Sequence, residues 1–457
     1  MLNVITLFSG YDSQCLALNR LGLPYDLVAW AEIDKHACTA HDALFPQFKG
    51  RNVGDVSKVD WAEWHCRHPQ PVDLLTYSSP CQDFSSAGLQ RGGEEGSGTR
   101  SGLLWETERA VSGLRPRHLV FENVGGLVSD KFIDLFQRWQ VRLNGYGYTN
   151  FAQLMNAKDY GVPQNRLRIF MVSVLDCRRA YYFPKPFKLE RRLKDVLEQN
   201  VADRYYLSDE RVAKLMQETA IHSDRGNGFA FHPHTPEEIA STVKCSGIGD
   251  KTDNFVAEPQ IDILGQLSSS QNSRIIGTEG ISPAVINGEK DGMPKIVEST
   301  ICGLSHGYYE GGLYTDYAPA VKSSAYAANN PLIIPQATKE GYAVVPEGGV
   351  FDASYPDSKT RRGRVQEGGT VSPIIMASQN ELLRYEGIRI RRLTERELYR
   401  LMDVDEPDID TLLAAPIPRT QHAKLAGNSI VVACLYYIFR NLFVDTEPAA
   451  GTQTKLF

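Results

Sequence analysis

The sequence predicts an α/β protein: a doubly wound parallel sheet followed by a smaller domain rich in short strands and loops. Three observations carry that expectation. Through the first 175 residues, short apolar runs alternate with amphipathic stretches, the rhythm of strand–helix–strand units. Nearly every chemically unusual residue in that region follows directly on a strand-like run, where open α/β sheets bind their ligands. The rhythm then stops. Residues from about 176 to 389 are rich in Gly, Ser, Pro and Tyr and read as short strands and turns.

The elements follow in order. LNVITLF (2–8) is a short apolar, β-branched run, and SQCLALNRLG (13–22) has helical spacing at Cys15, Leu16, Leu18 and Leu21 with Gly22 as its stop. YDLVAWAEID (25–34) is a second strand ending in acids, followed by a helix rich in Ala and His. VDLLTY (72–77) and RHLVFENV (117–124) are a third and fourth strand, with a helix over LLWETERAVSGL between them. DKFIDLFQRWQVRLNGYGY (130–148) reads as a helix closed by Gly145, and RLRIFMVSV (166–174) as a further buried strand. Beyond these, DERVAKLMQETA (209–220) is the main helical pattern of the middle region.

Composition bounds the function. A chain of 457 residues holds two or three cored domains. No stretch reads as a membrane span and MLNVITLFSGYDS lacks a signal-peptide layout, so a cytoplasmic protein is expected. The eight cysteines include no C-x-x-C pair, so neither a disulfide framework nor a structural zinc site is expected, and no residue is read as a metal ligand. The net charge of −6 gives no global sign of nucleic acid. Locally, residues 359–400 carry ten Lys/Arg against five Asp/Glu, with KTRRGR at 359–364 and RIRR at 389–392 as candidate phosphate or base contacts; for Arg391 and Arg392, beside a predicted helix start, a solvated face or a structural role is expected instead.

Two clusters of strand-end residues suggest chemistry. The turn Phe8-Ser9-Gly10 lets a ligand approach the backbone, and Glu32, closing the second strand, suits a ribose diol. Asp12 stands where a dinucleotide fingerprint would have its second glycine, which points to a nucleoside cofactor other than NAD. Cys81, between Pro80 and Gln82, lies at the same edge. A segment with six glycines between 88 and 102 follows it, in keeping with a lid. Cys15, Cys38 and Cys434 read as small hydrophobes on helical faces. Glu122-Asn123-Val124 ends the neighbouring strand.

P-C-Q-x-F-S-x-A-G at 80–88 resembles the nucleophile motif of the DNA (cytosine-5)-methyltransferases. Other motifs of that family stand in its order: F-S-G at 8–10, E-x-D at 32–34, Gly54-Asp55, E-N-V at 122–124, Q-N-R-L-R at 164–168, R-R-L-T-E-R-E-L-Y-R-L-M at 391–402 and G-N-S-I-V at 427–431. The sequence departs from the pattern at Asp12 and at Asp403, both positions where the family usually has glycine. The resemblance implies a class I S-adenosylmethionine-dependent sheet over 1–175 completed by 390–445, a target-recognition domain over 176–389 and a tail over 446–457. It implies S-adenosylmethionine held by Phe8, Ser9, Gly10, Glu32, Ile33, Asp55, Val56, Pro80, Leu103, Asn428 and Ser429. Cys81 would be the nucleophile, Glu122 the acid at N3 of cytosine and Arg168 the contact to O2. Asn123 would orient Glu122, and Arg166 would support a loop or a phosphate.

The substrate implied is double-stranded DNA with the cytosine extruded. Gln82, Ser85 and Arg91 are candidate contacts there, and Arg361, Arg362 and Arg364 candidate base readers. A weak repeat, GISPAVI (280–286), DYAPAVK (316–322), TVSPIIM (370–376) and more loosely EIASTVK (238–244), suggests a reused hairpin-like unit in the recognition domain. Three readings stay open at this point: a DNA methyltransferase, an RNA methyltransferase on the same scaffold, and an inactive DNA-binding module. The long insert favours DNA, and an intact Cys81, Glu122 and Arg168 favour an enzyme. A monomer is expected, with a cognate restriction endonuclease as the partner such an enzyme can have.

Overall fold

The computed structural model describes residues 1–80, 100–224, 231–245, 254–266, 300–301, 332–335, 342–345, 350–352 and 381–445. The chain divides into two compact units. The first comprises 1–198, 239–248 and 394–457, and the second 199–238 and 249–393. Residues 176–198 and 239–248 thus belong with the sheet, whereas the expected domain boundary assigned them to the insert.

The first unit begins β1 (Leu2–Leu7), α1 (Ser13–Arg20), β2 (Tyr25–Ala31), α2 (Lys35–Leu44), α3 (Trp61–Arg67) and β3 (Leu74–Tyr77). It continues with α4 (Glu106–Leu114), β4 (His118–Val124), α5 (Ile133–Gly145), β5 (Tyr148–Asn156) and β6 (Leu167–Leu175). The sheet order is β2-β1-β3-β4-β6-β5. The strands β2, β1, β3 and β4 run parallel, while β6 is antiparallel to both β4 and β5. The doubly wound α/β sheet expected is thus present, with its parallel part in β2, β1, β3 and β4 and an antiparallel β6 added. Only residues 157–166 separate β5 from β6, too few for the helical crossover a parallel pair needs. Strand β5 escapes the hydrophobic pattern because it is an edge strand carrying Asn150, Gln153 and Asn156.

Strands β1, β3 and β4 are almost continuously buried, as a sheet covered on both faces requires. One helical layer packs on a core of Trp61, Leu75, Tyr77, Leu114, Phe121, Phe136 and Trp139. The Trp139 indole N–H donates to the Tyr77 hydroxyl at 3.0 Å, which satisfies a polar group inside that core. The helix expected from Leu103 starts only at Glu106, after a 3-10 turn over Arg100–Leu104.

The second unit holds α6 (Asp209–Asp224), β7 (Pro233–His234), β8 (Phe255–Gln266), β9 (Thr300–Ile301) and β10 (Leu332–Pro335). It ends with β11 (Tyr342–Val345), β12 (Val350–Asp352) and β13 (Glu381–Arg392). The strands form sheets of order β12-β13-β8-β7 and β11-β10-β9, above a small core of Leu215, Phe231, Phe255 and Ile390. Two of the RIRR arginines are structural here. Arg391 is fully buried and grips the Glu258 carboxylate with Nε and Nη2 at 2.8 and 2.7 Å. Arg389 pairs with Asp203 and stacks on Tyr206, 3.9 Å from the ring centroid. Arg391 thus takes the structural role expected of it, while Arg389, read as a candidate phosphate or base contact, is engaged within the unit. Arg361, Arg362 and Arg364, and the three Pro-containing repeat copies, lie outside the described residues. The fourth copy is no hairpin: Ala240 bridges to Gln164 in parallel.

The chain returns to the first unit through α7 (Glu395–Leu401), α8 (Glu406–Ala414), α9 (Arg419–Asn428) and α10 (Val432–Phe443). Thr394 and Glu397 form a reciprocal capping box at the start of α7, the T-x-x-E signature legible at 394–397. Contrary to expectation, residues Arg419–Phe443 are long and apolar enough to cross a membrane. They are two helices interrupted near Ser429, and α10 buries Val432, Cys434, Leu435, Ile438 and Phe439 in the unit.

Candidate active site

The turn after β1 uses left-handed backbone three times, at Phe8 (φ 56°), Gly10 (φ 60°) and Asp12 (φ 68°). A Cβ on Gly10 would meet nothing within 4 Å, so that backbone faces open space. Asp12 keeps the conformation a glycine would take, which Asp tolerates better than most residues. Its side chain is fully buried. It accepts from the Cys15 amide at 3.2 Å, capping α1, and from the Thr6 hydroxyl at 2.7 Å. Asp403 behaves alike: φ is 61° and its carboxylate pairs with Arg20 and Arg191. Both departures from the family pattern thus retain the glycine-like backbone and add an ionic or capping contact.

Glu32 joins the ends of β1 and β2. Its Oε2 accepts from the Gly10 amide at 3.0 Å, and its Oε1 from the amides of Ile33 and Asp34 at 2.8 Å each. Asn52 fastens the next loop: its Oδ1 accepts from Glu32 and Gly54 amides at 3.2 and 2.9 Å, and its Nδ2 donates to the Glu32 carbonyl at 3.0 Å. Asp55 caps the turn that begins at Val56 by accepting from the Ser57 amide at 3.0 Å. These contacts bring Ser9, Gly10, Glu32, Ile33 and Asp55 to one edge. The Ser9 hydroxyl is buried without a partner among the described residues, Ile33 is 74% exposed, and Glu32 retains unused lone pairs. A hydroxyl, a carboxylate, open backbone and a free apolar side chain are the groups a nucleoside calls for. Asn52 was not singled out from sequence, because an Asn in a loop has no distinguishing pattern.

Register builds the second cluster. Tyr77 pairs with Phe121 in parallel, so Ser78 comes level with Glu122. Val124 lies across from Arg168, and Glu122 shares a face with Val124, so Arg168 is its diagonal neighbour. The Ser78 hydroxyl donates to Glu122 Oε2 at 2.7 Å, and Arg168 Nε lies 3.2 Å from Oε1. Glu122 is 6% exposed. Asn123, expected to orient Glu122, instead reaches the other way. Its Nδ2 donates to the Ser79 carbonyl at 3.1 Å, holding the backbone that enters Pro80. Ser78 is the residue that orients the carboxylate. The signal that could have found it is the strand register, one step beyond the last pair.

Arg166 is buried and donates to the carbonyls of Val243, Gly427 and Ser429 at 3.0, 3.0 and 2.7 Å. Of the two roles expected for Arg166, support of a loop or of a phosphate, these contacts fit the first: it clamps the turn between α9 and α10. Gln164 is buried beside it, donating to the Leu401 carbonyl at 2.6 Å and accepting from the Val243 amide at 3.1 Å. Ser429 Oγ lies 2.5 Å from Ser13 Oγ, while Asn428 is exposed. Leu103 and Pro80 are half-buried and Val56 is buried. Cys81, Gln82, Ser85 and Arg91 lie outside the described residues.

Three of the other cysteines, Cys15, Cys38 and Cys434, are poorly suited to nucleophilic work. Burial pushes the thiols of Cys15 and Cys434 up. Cys38 is pushed up to about 11 by burial and the Glu32 carboxylate. Its surroundings are more polar than an apolar helical face, with Asn52 Nδ2 at 3.3 Å from Sγ.

A mixed sheet of this order, with an acid–arginine pair where β3, β4 and β6 meet, suits a base-modifying enzyme. Residues 2–444 match the family described as C-5 cytosine-specific DNA methylase, and the chain belongs to that family. It is a DNA cytosine methyltransferase, and the RNA reading gives way to that. It is 28% identical to the orphan methyltransferase M.Rho11sI of Bacillus phage rho11s, over 96% of this chain and 97% of that protein. A stretch covering 37% of this chain and 43% of the other is 42% identical to the orphan methyltransferase M.SssI of Spiroplasma monobiae. Among solved structures, the Entamoeba histolytica methyltransferase EhMeth aligns with a TM-score of 0.57 at 12% identity, over 98% of this chain and 99% of that one. That likeness concerns the fold alone.

Proposed function

We propose that the chain methylates an extruded cytosine of duplex DNA through a covalent bond between Cys81 Sγ and C6 of the base. The observation that carries the reading is the buried Glu122 on β4, held by Ser78 and Arg168 beside the end of β3, after which the sequence runs through Pro80 to Cys81. Thiolate addition at C6 makes C5 an enamine carbon able to attack an electrophile. Charge develops on the ring as the bond forms. Glu122 is assigned the proton or hydrogen bond to N3 that meets it. Arg168 is assigned O2, leaving its contact with Glu122 for the base. Loss of the C5 proton and of the Cys81–C6 bond then restores aromaticity.

The cofactor we assign is S-adenosylmethionine, which supplies the electrophilic methyl group when bound. Glu32 would accept the ribose hydroxyls, Ile33 would face the adenine and Asp55 would accept from it. The Phe8–Gly10 turn, Val56, Pro80, Leu103, Asn428 and Ser429 would complete the pocket. We assign the second unit to target recognition, with Arg361, Arg362 and Arg364 as base readers, and Gln82, Ser85 and Arg91 as contacts to the gap left by the base. The enzyme would act as a monomer in the cytoplasm of a bacterium or an infected cell. Both curated relatives above are named orphan methyltransferases, which favours a solitary enzyme over one paired with an endonuclease.

The test uses duplex oligonucleotides carrying 5-fluorocytosine in varied contexts, offered with the methyl donor. The ring cannot lose fluorine as it loses a proton, so the expected outcome is a trapped protein–DNA adduct mapped to Cys81. The Cys81→Ala variant should form no adduct and methylate no DNA while still binding the cofactor. An adduct at another cysteine, or methylation by that variant, overturns the nucleophile. A tRNA arm of the same assay should remain unlabelled.

A further inference from the structure

In the second unit the segment His232-Pro-His234-Thr-Pro-Glu-Glu238 brings two imidazoles and a carboxylate together. Extended backbone sends alternate side chains to the same side, so His232 and His234 face one way. Pro233 and Pro236 narrow the conformations open to the segment. A turn then folds the acid back. The Glu238 amide donates to the Thr235 carbonyl at 3.1 Å, and the Thr235 amide to Glu238 Oε2 at 3.0 Å. Glu238 Oε2 consequently lies 3.7 Å from His232 Nε2 and 3.5 Å from His234 Nδ1. One ligand atom from each of the three residues lies within 4.8 Å of the others.

Those separations are long for hydrogen bonds. They lie close to the edge of a tetrahedron about zinc, roughly 3.3 Å when ligands sit at about 2.0–2.1 Å. His234 is buried, whereas His232 and Glu238 are half-buried, so one side of the triangle stays open to water.

We propose that His232 Nε2, His234 Nδ1 and the Glu238 carboxylate bind a zinc-class divalent ion, with water as the fourth ligand. Two imidazoles and one carboxylate suit zinc, cobalt or nickel, whereas magnesium and calcium select all-oxygen sites. The absence of a C-x-x-C pair is no obstacle, since no thiolate takes part. The ion would staple the end of β7 to the turn at 235–238. Because β7 pairs with β8 through Pro233↔Phe255 and His234↔Val256, that staple would fix one edge of the four-stranded sheet.

The test strips the full-length protein with a chelator and titrates it with cobalt(II). The visible bands of tetrahedral cobalt should develop to a single ion per chain, vanish on adding zinc and persist in excess magnesium. His232→Ala and Glu238→Gln should each weaken cobalt binding by more than about 100-fold, since even outer-shell partners are worth about 10- to 100-fold. Far-ultraviolet circular dichroism reports whether each variant is folded. Wild-type protein that gives no tetrahedral bands overturns the proposal whatever the variants do. So do sulfur-to-cobalt charge-transfer bands, which would put the ion on a cysteine, and an undiminished affinity in folded His232→Ala.

Discussion

The Glu122 carboxylate has two partners of different kinds, a neutral hydroxyl on Oε2 and a guanidinium on Oε1, and substitution separates them. Replacing Glu122 by Gln keeps the shape and removes the acid. Turnover should fall by about 10²- to 10⁴-fold, the usual worth of a positioned proton donor, with cofactor affinity unchanged in a binding titration. Ser78→Ala leaves the acid and removes only what orients it. A hydrogen bond to a charged group is worth about 1.5–3 kcal/mol, so kcat should fall roughly 10- to 150-fold while KM for DNA holds. A fall confined to KM would deny Ser78 its positioning role. Glu122 and Arg168 were legible in the sequence because each sits in a short motif; Cys81, read the same way, lies outside the described residues. Ser78 and Asn52 were not legible: their importance lies in what stands across from them, which only strand register reveals.

Helices and strands here are joined by close backbone approaches as much as by apolar faces. Gly427, near the end of α9, is the clearest case. A Cβ there would fall on the Lys244 carbonyl carbon and the Cys245 nitrogen, so the backbone at Lys244–Cys245 must move if any side chain is added. Gly427→Ala should cost about 1–3 kcal/mol, read as a fall of several degrees in the unfolding midpoint. Gly145→Ala, at the end of α5, meets nothing within 4 Å and should change stability by no more than about 0.5 kcal/mol. Parallel strands β1 to β4 were readable as apolar runs because burial on both faces leaves no polar alternation to confuse them. The edge strand β5 was not, since its polar positions blur the period. The clamp formed by Gln164 and Arg166 was visible as a motif but not as a clamp: buried arginine and exposed arginine look alike in a sequence.

At the scale of the whole molecule, the titration of two histidines sets an acid limit. Burial lowers the affinity of His118 and His422 for a proton, holding both below the usual 6.5. The unfolded chain then binds protons more readily than the folded one below that value. Their contribution is complete above pH 6.5 and is lost as the pH falls through the folded values. The unfolding midpoint should therefore drop on going from neutrality towards pH 5.5, and His118→Asn with His422→Asn should flatten that slope. The carboxylates act lower. Glu406 is held below its usual 4.5 by Arg400, so its share is lost only near and below that value. A midpoint insensitive to pH between 5.5 and 7 would contradict this account.

The hydroxyl pair Ser13–Ser429 spans 416 residues of chain, and α10 lies against α1 at the far end of translation from it. A ribosome making this protein releases the first helix long before its neighbour exists. The amino-terminal sheet must wait, with α1 uncovered, through the synthesis of everything between them. Nascent chains halted before Val432 should accordingly be easy prey for proteases and should recover resistance when the missing carboxy-terminal fragment is supplied as a separate polypeptide.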